Sequence, residues 1–142
     1  MKQLNESLKL FINLTKIQTE NSRRFHGGLD GIGFNEFVIL YHINQSSEKK
    51  IRRIDLAEKM GLTASGVTRI LAPMEKMGLI ERETAARDAR VSYVSITVSG
   101  NRNLAETMEK AELFADSIFP PTKLKKLTGL SDLLVELGGS IK

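Results

Sequence analysis

Apolar residues at three- and four-residue steps open the chain: Leu4, Leu8, Phe11, Leu14 and Ile17, with polar residues between them. This spacing predicts an amphipathic first helix running to about Phe25. From Gly27 to Gly33 the periodicity breaks into a glycine-dense stretch suited to a connection with unusual backbone angles. It does not read as a dinucleotide loop, because no strand precedes it and the glycines lack the ordered spacing that opens a phosphate-binding helix. Phe34, Phe37, Val38, Leu40 and Tyr41 then predict a short, largely buried helix that ends near Asn44-Gln45-Ser46-Ser47.

The next pattern is helix, tight turn, helix. Ile54, Leu56, Ala57 and Met60 place a helix over 51–61 that closes on Gly61, and Thr63 follows as an N-cap for a helix from about Ala64 to Met77, stopped at Gly78. β-Formers gather in Leu79–Glu83 and Val91–Thr97, with the polar, charged run Thr84–Arg90 between them. That predicts a two-stranded hairpin with a long basic tip. Beyond Ser99-Gly100, Leu104, Met108, Ala111, Ala115 and Ile118 keep a heptad-like step until Pro120-Pro121 turns the chain. A last helix carries a stripe of Leu127, Leu130, Leu134, Leu137 and Ile141, widened by Leu124 and Leu133. The fold class expected is mainly α with a small β-wing.

With 142 residues the chain is long enough for one self-sufficient core. A net charge of +4 is compatible with binding a polyanion and equally with an ordinary surface, so charge alone decides nothing. The absence of cysteine excludes disulfides, thiolate metal sites and cysteine redox chemistry. His26 and His42 are not at i, i+4 spacing, so no metal site is expected and both read as structural. No nucleophile is paired with a base, and neither catalysis nor a cofactor is expected. Lys2, Asn5, Glu6, Lys9 and Asn13 interrupt the first fourteen residues, which therefore lack the apolar core of a signal peptide. A soluble cytoplasmic protein is the expectation.

The helix from Ala64 to Met77 turns Val67, Ile70, Leu71, Met74 and Met77 inward and presents Ser65, Gly66, Thr68, Arg69 and Lys76 on its other face. Small side chains near its N-terminus allow close approach to a major groove, and the hydroxyls and Arg69 suit phosphates or base edges. Taken alone, such a face is equally a solvated helix surface. Its place after a helix and glycine turn, and before a basic hairpin, favours DNA reading. Arg82, Arg87 and Arg90 flank or occupy the hairpin tip, where an arginine fits a narrow minor groove, with Asp88 placed to orient Arg90 or Arg87. A solvated charged loop is the alternative there. Arg52 and Arg53 read equally as phosphate contacts and as surface charges. Pro73, inside the second helix, predicts a bend.

From about Phe34 to Leu104 the chain resembles the multiple-antibiotic-resistance regulator (MarR) family of bacterial winged-helix regulators. The resemblance lies in Ile54-Asp55-Leu56-Ala57-Glu58, then Leu62 to Arg69, then Glu75-Lys76-Met77-Gly78-Leu79-Ile80. Asp88-Ala89-Arg90 matches the family's wing signature, and Ile96-Thr97-Val98-Ser99-Gly100 its apolar-Thr-x-x-Gly step into a long helix. It implies one unit over 1–142, with a winged helix-turn-helix over 33–100 and dimerisation helices over 1–26 and 101–142. It also implies major-groove contacts from Ser65, Thr68 and Arg69, and a minor-groove contact from Arg90 oriented by Asp88. Arg53, Thr63, Gly66 and Arg87 complete the DNA-binding set expected.

Leucine-rich stripes at both ends agree with a homodimer, although packing within one chain would also occupy them. Two motifs on a two-fold axis meet half-sites roughly 34 Å apart on a pseudo-palindrome of double-stranded DNA. The family also implies release from DNA by a small aromatic or anionic effector, for which Phe11, Phe25, Phe37 and Tyr41 are the candidate lining. The function expected is thus a sequence-specific regulator, most simply a repressor. A winged protein-interaction module without DNA contact is the rival class. Arg69, Arg87 and Arg90 together favour DNA.

Overall fold

The computed structural model describes residues 2–26, 29 and 31–141. Helix α1 spans Glu6–Phe25, and Asn5 caps it by accepting the Leu8 amide at 2.8 Å. Helix α2 spans Phe34–Gln45. Strand β1, Lys50–Arg52, leads directly into helix α3, Arg53–Met60, and helix α4 runs from Ala64 to Lys76. Strands β2, Ile80–Ala85, and β3, Asp88–Ile96, precede the long helix α5, Val98–Ile118, and the last helix α6, Leu124–Glu136. The sheet is antiparallel in the order β1-β3-β2.

Helix α2 lies at the centre. Ile39, Leu40 and Ile43 are wholly buried, and α3, α5, β1 and β3 pack around them. That surrounding explains why α2 reads as nearly continuous apolar sequence rather than as one stripe. Leu56 from α3, Val67 and Leu71 from α4, and Val94 from β3 complete the fully buried centre. Leu29 and Ile32 form an isolated antiparallel bridge and are also buried, so the glycine-dense connection contributes apolar anchors to the core. Gly31, between them, has φ +87, which favours glycine. Gly27, Gly28 and Asp30 of the same connection lie outside the described residues.

Several boundaries differ from the sequence reading. Ile51 belongs to a strand rather than a helix: it is buried, pairs with Val94, and makes the sheet three-stranded instead of two-stranded. The basic tip is short. The strands reach Ala85 and Asp88, leaving only Ala86 and Arg87 as the turn. Thr84 pairs with Ser92 but Ala85 with Asp88, so residues 89–91 have no counterpart on β2 and form a bulge. Helix α4 ends at Lys76, one residue before the expected Met77, with Pro73 inside it. Helix α6 ends at Glu136, and Gly138, with φ +123, carries the chain out of it, so Ile141 is not on the helical stripe.

The join between β3 and α5 is a close approach of backbone to backbone. Thr97 caps α5 by accepting the Gly100 amide at 2.9 Å, and its hydroxyl donates to the Gly78 carbonyl at 2.6 Å. The Thr97 amide donates to the Leu79 carbonyl at 3.1 Å. A β-carbon on Gly100 would lie 2.0 Å from that same carbonyl oxygen and 2.9 Å from Ile96 Cγ1. Only glycine fits without moving backbone.

The terminal helices are different in kind. Leu4, Leu8, Phe11, Ile12 and Ile17 are exposed along and just before α1, and none of the residues of α6 is buried. Among the described residues, no helix is long and apolar enough to cross a membrane.

Two predictions follow from the core. Gly100→Ala should destabilise the fold by about 2 kcal/mol or more, because rigid backbone blocks relief of the overlap; urea unfolding measures it, and an unchanged midpoint would refute the close approach. His42 is buried on α2, and desolvation, followed by the charge of Lys59, holds its imidazole below the ordinary histidine range. Its contribution to stability is therefore complete above the unfolded pKa of about 6.5 and is lost as pH falls through the lower folded value. Between pH 7 and pH 5 the urea midpoint should fall more steeply for the wild-type protein than for His42→Gln, and parallel slopes would contradict this.

Candidate nucleic-acid interface

The angle between α3 and α4 is fixed by a glycine cap. Gly61 takes the left-handed conformation, φ 67 and ψ 28, which leaves its own amide to reach Glu58 and the Leu62 amide to reach Ala57 at 2.9 Å. Helix α4 then starts at once. The Thr63 hydroxyl accepts the Gly66 amide at 3.1 Å and lies 3.2 Å from the Ser65 hydroxyl. The first turn of α4 thus presents exposed Thr63 and Ser65 beside an outward-pointing helix N-terminus.

Thr68 is committed in part. Its hydroxyl donates to the Ala64 carbonyl at 2.9 Å and accepts from Arg53 Nη1 at 2.7 Å. One lone pair is left, so Thr68 retains the capacity to accept a base donor but not to donate. Arg53, which reads equally as a phosphate contact or a surface charge, ties the start of α3 to the outer face of α4 through Nη1. Arg69 is exposed, and among the described residues no ion-pair partner holds it.

Strand parity sorts the charges of the wing. Ile80 and Arg82 share the inner face with Val94, and Glu81 and Glu83 lie on the outer face with Tyr93 and Ser95. On the outer face the Lys50 ammonium reaches Glu83 at 3.3 Å and sits 5.3 Å from the centre of the Tyr93 ring. On the inner face Arg82 donates twice to Glu75 of α4, Nε to Oε2 and Nη2 to Oε1, both at 3.0 Å. These hydrogen bonds, with the guanidinium charge second to them, hold the Glu75 carboxyl below its ordinary range and raise Arg82 further. Arg82 is therefore not a free cation at the tip, and sequence reasoning missed Glu75 as its partner. The signal was present as parity, since Arg82 lies two residues after the buried Ile80.

Arg87 is exposed in the two-residue turn. Arg90 lies in the bulge with its side chain 94% exposed. Asp88 holds it chiefly through the backbone: Oδ1 accepts the Arg90 amide at 2.9 Å, while the guanidinium Nε stands 3.6 Å away. A bulge re-aims the side chain it contains, and here the Asp88 contact fixes that bulge. The Asp-x-Arg spacing thereby acquires a mechanical basis.

The four aromatic residues expected to line an effector cavity are not brought together. Phe25 stacks against Phe34 at 4.3 Å and Phe114 at 4.6 Å, and Phe37 is buried beside Phe34. Tyr41 is half-buried on α2. Phe11 is 56% exposed and fourteen residues before Phe25 on the same helix, a rise of roughly 21 Å. Phe25 is core because Phe114 of α5 covers it, and Phe37 is buried on the central helix α2. An open cavity of about 350 Å³ lies instead between the end of α1 and the start of α2, lined by Ser22, His26, Ile32, Phe34 and Glu36 among others.

Helix, glycine turn, a second helix with a polar outer face, and an antiparallel wing with exposed arginines define the winged helix-turn-helix class. A family model described as the MarR family matches residues 34–92. The homoprotocatechuate degradative operon repressor of Escherichia coli is 34% identical over 89 residues, covering 61% of this chain and 60% of that repressor. The chain likewise spans 51% of the length of the regulator PapX of Escherichia coli. Among solved structures, the transcriptional regulator BldR from Sulfolobus solfataricus superposes with a TM-score of 0.78 at 24% identity, over 96% of this chain and 99% of that one. Sco3205, a MarR family transcriptional regulator from Streptomyces coelicolor solved in complex with DNA, gives 0.72 at 19% identity, over 96% and 90%. Residues 34–92 thus match the MarR family, and the chain as a whole has the fold of MarR family transcriptional regulators.

Because the Thr68 hydroxyl links two helices, Thr68→Val should lower stability by about 1 kcal/mol, or a thermal midpoint shift of about 2–5 °C. Differential scanning calorimetry measures it, and an unshifted midpoint would show the link to be inert.

Proposed function

We propose that the protein is a homodimeric, sequence-specific reader of double-stranded DNA that represses transcription and is released by a small aromatic or anionic ligand. The observation that carries this reading is the pair of cationic reading points. Arg69 on the outer face of α4 and Arg90 in the wing bulge are exposed, whereas Arg82, nearby on the inner face of the wing, is spent on an internal ion pair. Helix α4 fits a major groove, with Thr63, Ser65 and Gly66 allowing close approach and Thr68 accepting from a base. Arg87 and Arg90 reach the flanking backbone and minor groove. Family neighbours solved with DNA, namely MarR of Escherichia coli and MepR of Staphylococcus aureus, support the same use of the fold.

The dimer is supported by apolar surface. Leu124, Leu130, Leu133 and Leu137 are exposed on and beside α6, as are Leu8, Phe11 and Ile17 on α1, and a second chain gives them cover. Residues 1–26 and 101–142 form that interface, and residues 33–100 the reading unit. Ligand release is supported by PcaV of Streptomyces coelicolor, solved with its natural ligand, and by the cavity between α1 and α2.

The test is fluorescence anisotropy with DNA from upstream of the gene, against a scrambled duplex and across a salt series, with sedimentation for the oligomer. The dimer should prefer the upstream duplex and weaken with salt. Arg69→Ala should lose about five- to a hundredfold and relax base preference, while Arg90→Ala weakens all duplexes alike. Wild-type binding no tighter than to the scrambled duplex would end the regulator reading.

A further inference from the structure

We infer that the Glu75–Arg82 pair is a brace that sets the angle of the wing against the reading helix, making Glu75 a positioning residue for DNA recognition although it carries the wrong charge to touch DNA. The inference rests on the proposed DNA-reading role and adds to it a residue that none of the DNA-contact arguments includes. Three observations support it. The first is geometry: the pair is bidentate, two bonds of 3.0 Å, and a planar guanidinium gripping a carboxylate fixes orientation as well as distance. The second is position. Glu75 sits in the last turn of α4 and Arg82 in the middle of β2, so the pair spans the turn at Gly78. It lies on the inner face, where strand parity places Arg82 over the edge of the core beside Val94.

The third is what else restrains the wing. Around the Gly78 turn, the Thr97 hydroxyl and amide bind the base of the hairpin, at Gly78 and Leu79. Beyond that base, Val94 anchors β3 in the core and Lys50–Glu83 ties β2 to β1 within the sheet, and neither joins β2 to α4 directly. Among the described residues, Arg82 to Glu75 is the ion pair that joins wing to reading helix. From Arg82 the strand runs about 10 Å further to the tip, so a small rotation at the base is enlarged at Arg87 and Arg90. An exposed pair contributes little to global stability. The effect expected of it is therefore on where the tip stands rather than on the unfolding midpoint.

The sign of one substitution separates this from plain electrostatics. Glu75→Gln removes a negative charge next to a polyanion, so a free surface carboxylate would bind DNA more tightly once neutralised. The brace predicts the reverse: affinity for the upstream duplex falls about three- to tenfold, with the thermal midpoint within about 2 °C of wild type. In a double-mutant cycle the loss caused by Arg90→Ala should shrink when Glu75→Gln is already present, since the tip is then misplaced. Hydrogen exchange on the free protein should rise at amides 82–92 and stay unchanged in α4. Tighter or equal binding by Glu75→Gln, or strictly additive losses with Arg90→Ala, would overturn the brace. If wild-type protein shows no DNA preference, it is the regulator reading that fails, and exchange at 82–92 alone decides the brace, unchanged protection refuting it.

Discussion

The approach of Gly100 to the Leu79 carbonyl is the constraint on which the rest of the architecture turns. At that point four segments meet: the end of α4 at the Gly78 cap, the start of β2, the end of β3 and the first turn of α5. Thr97 serves three of them at once, capping α5, donating its hydroxyl to Gly78 and its amide to Leu79. A side chain at residue 100 would push α5 off the hairpin and open this junction. The wing would then lose its base and the long helix its origin. A threonine followed three residues later by glycine is thus less a motif than the minimal chemistry for docking a helix N-terminus onto a strand backbone.

Charge in this protein is divided between positions that build and positions left free. Arg53, Arg82 and Lys50 are each consumed by a neighbour, Thr68, Glu75 and Glu83 respectively. Among the described residues Arg69 and Arg87 have no such partner, and Arg90 is held at its backbone more firmly than at its guanidinium. A net charge of +4 spread evenly would say little about function. Within the winged helix-turn-helix the distribution says more, because Arg69 and Arg87 stand exposed on α4 and at the wing tip, whereas Arg53 ties α3 to α4 and Arg82 ties the wing to α4. Cations spent on rigidity make the remaining cations selective, since a reading residue discriminates only as well as it is placed.

The sequence made the helix-turn-helix legible because its stops are chemical: Gly61 and Gly78 take left-handed caps, and Thr63 and Thr97 cap helix starts, each by its own side chain or conformation. Strand β1 was not legible, since three residues cannot display a period and Ile51 fits a helical stripe equally well. Its strand state comes from pairing with β3, a long-range contact no local pattern encodes. The wing tip misled for a related reason. Its polar residues read as loop, but backbone pairing persists to Ala85 and Asp88, and the irregularity is absorbed by a bulge rather than a long turn. Among site residues, Arg69 and Arg90 stand exposed as expected. Thr68 and Arg53 turned out to serve each other, and Phe25 and Phe37 went to the core, because partners for buried aromatics come from distant helices such as α5.

The terminal helices bear on function through the same junction. Helix α5 begins at the base of the wing and carries its buried residues Leu104, Thr107 and Ala111 along α2, so the reading unit and the long helix move as one packed body. After Ala111 the cover thins: no residue from 112 to 119 is buried, Leu113 and Phe119 are exposed, and α6 packs on little of its own chain. In the proposed dimer the separation of the two reading helices is therefore set where α5, α6 and α1 meet a second chain, and is transmitted by a helix anchored at Gly100. The cavity between α1 and α2 borders the aromatic cluster in which Phe34 and Phe25 meet Phe114 of α5. A ligand there would bear on Phe34, which meets α5 through Phe25 and its edge contact with Phe114.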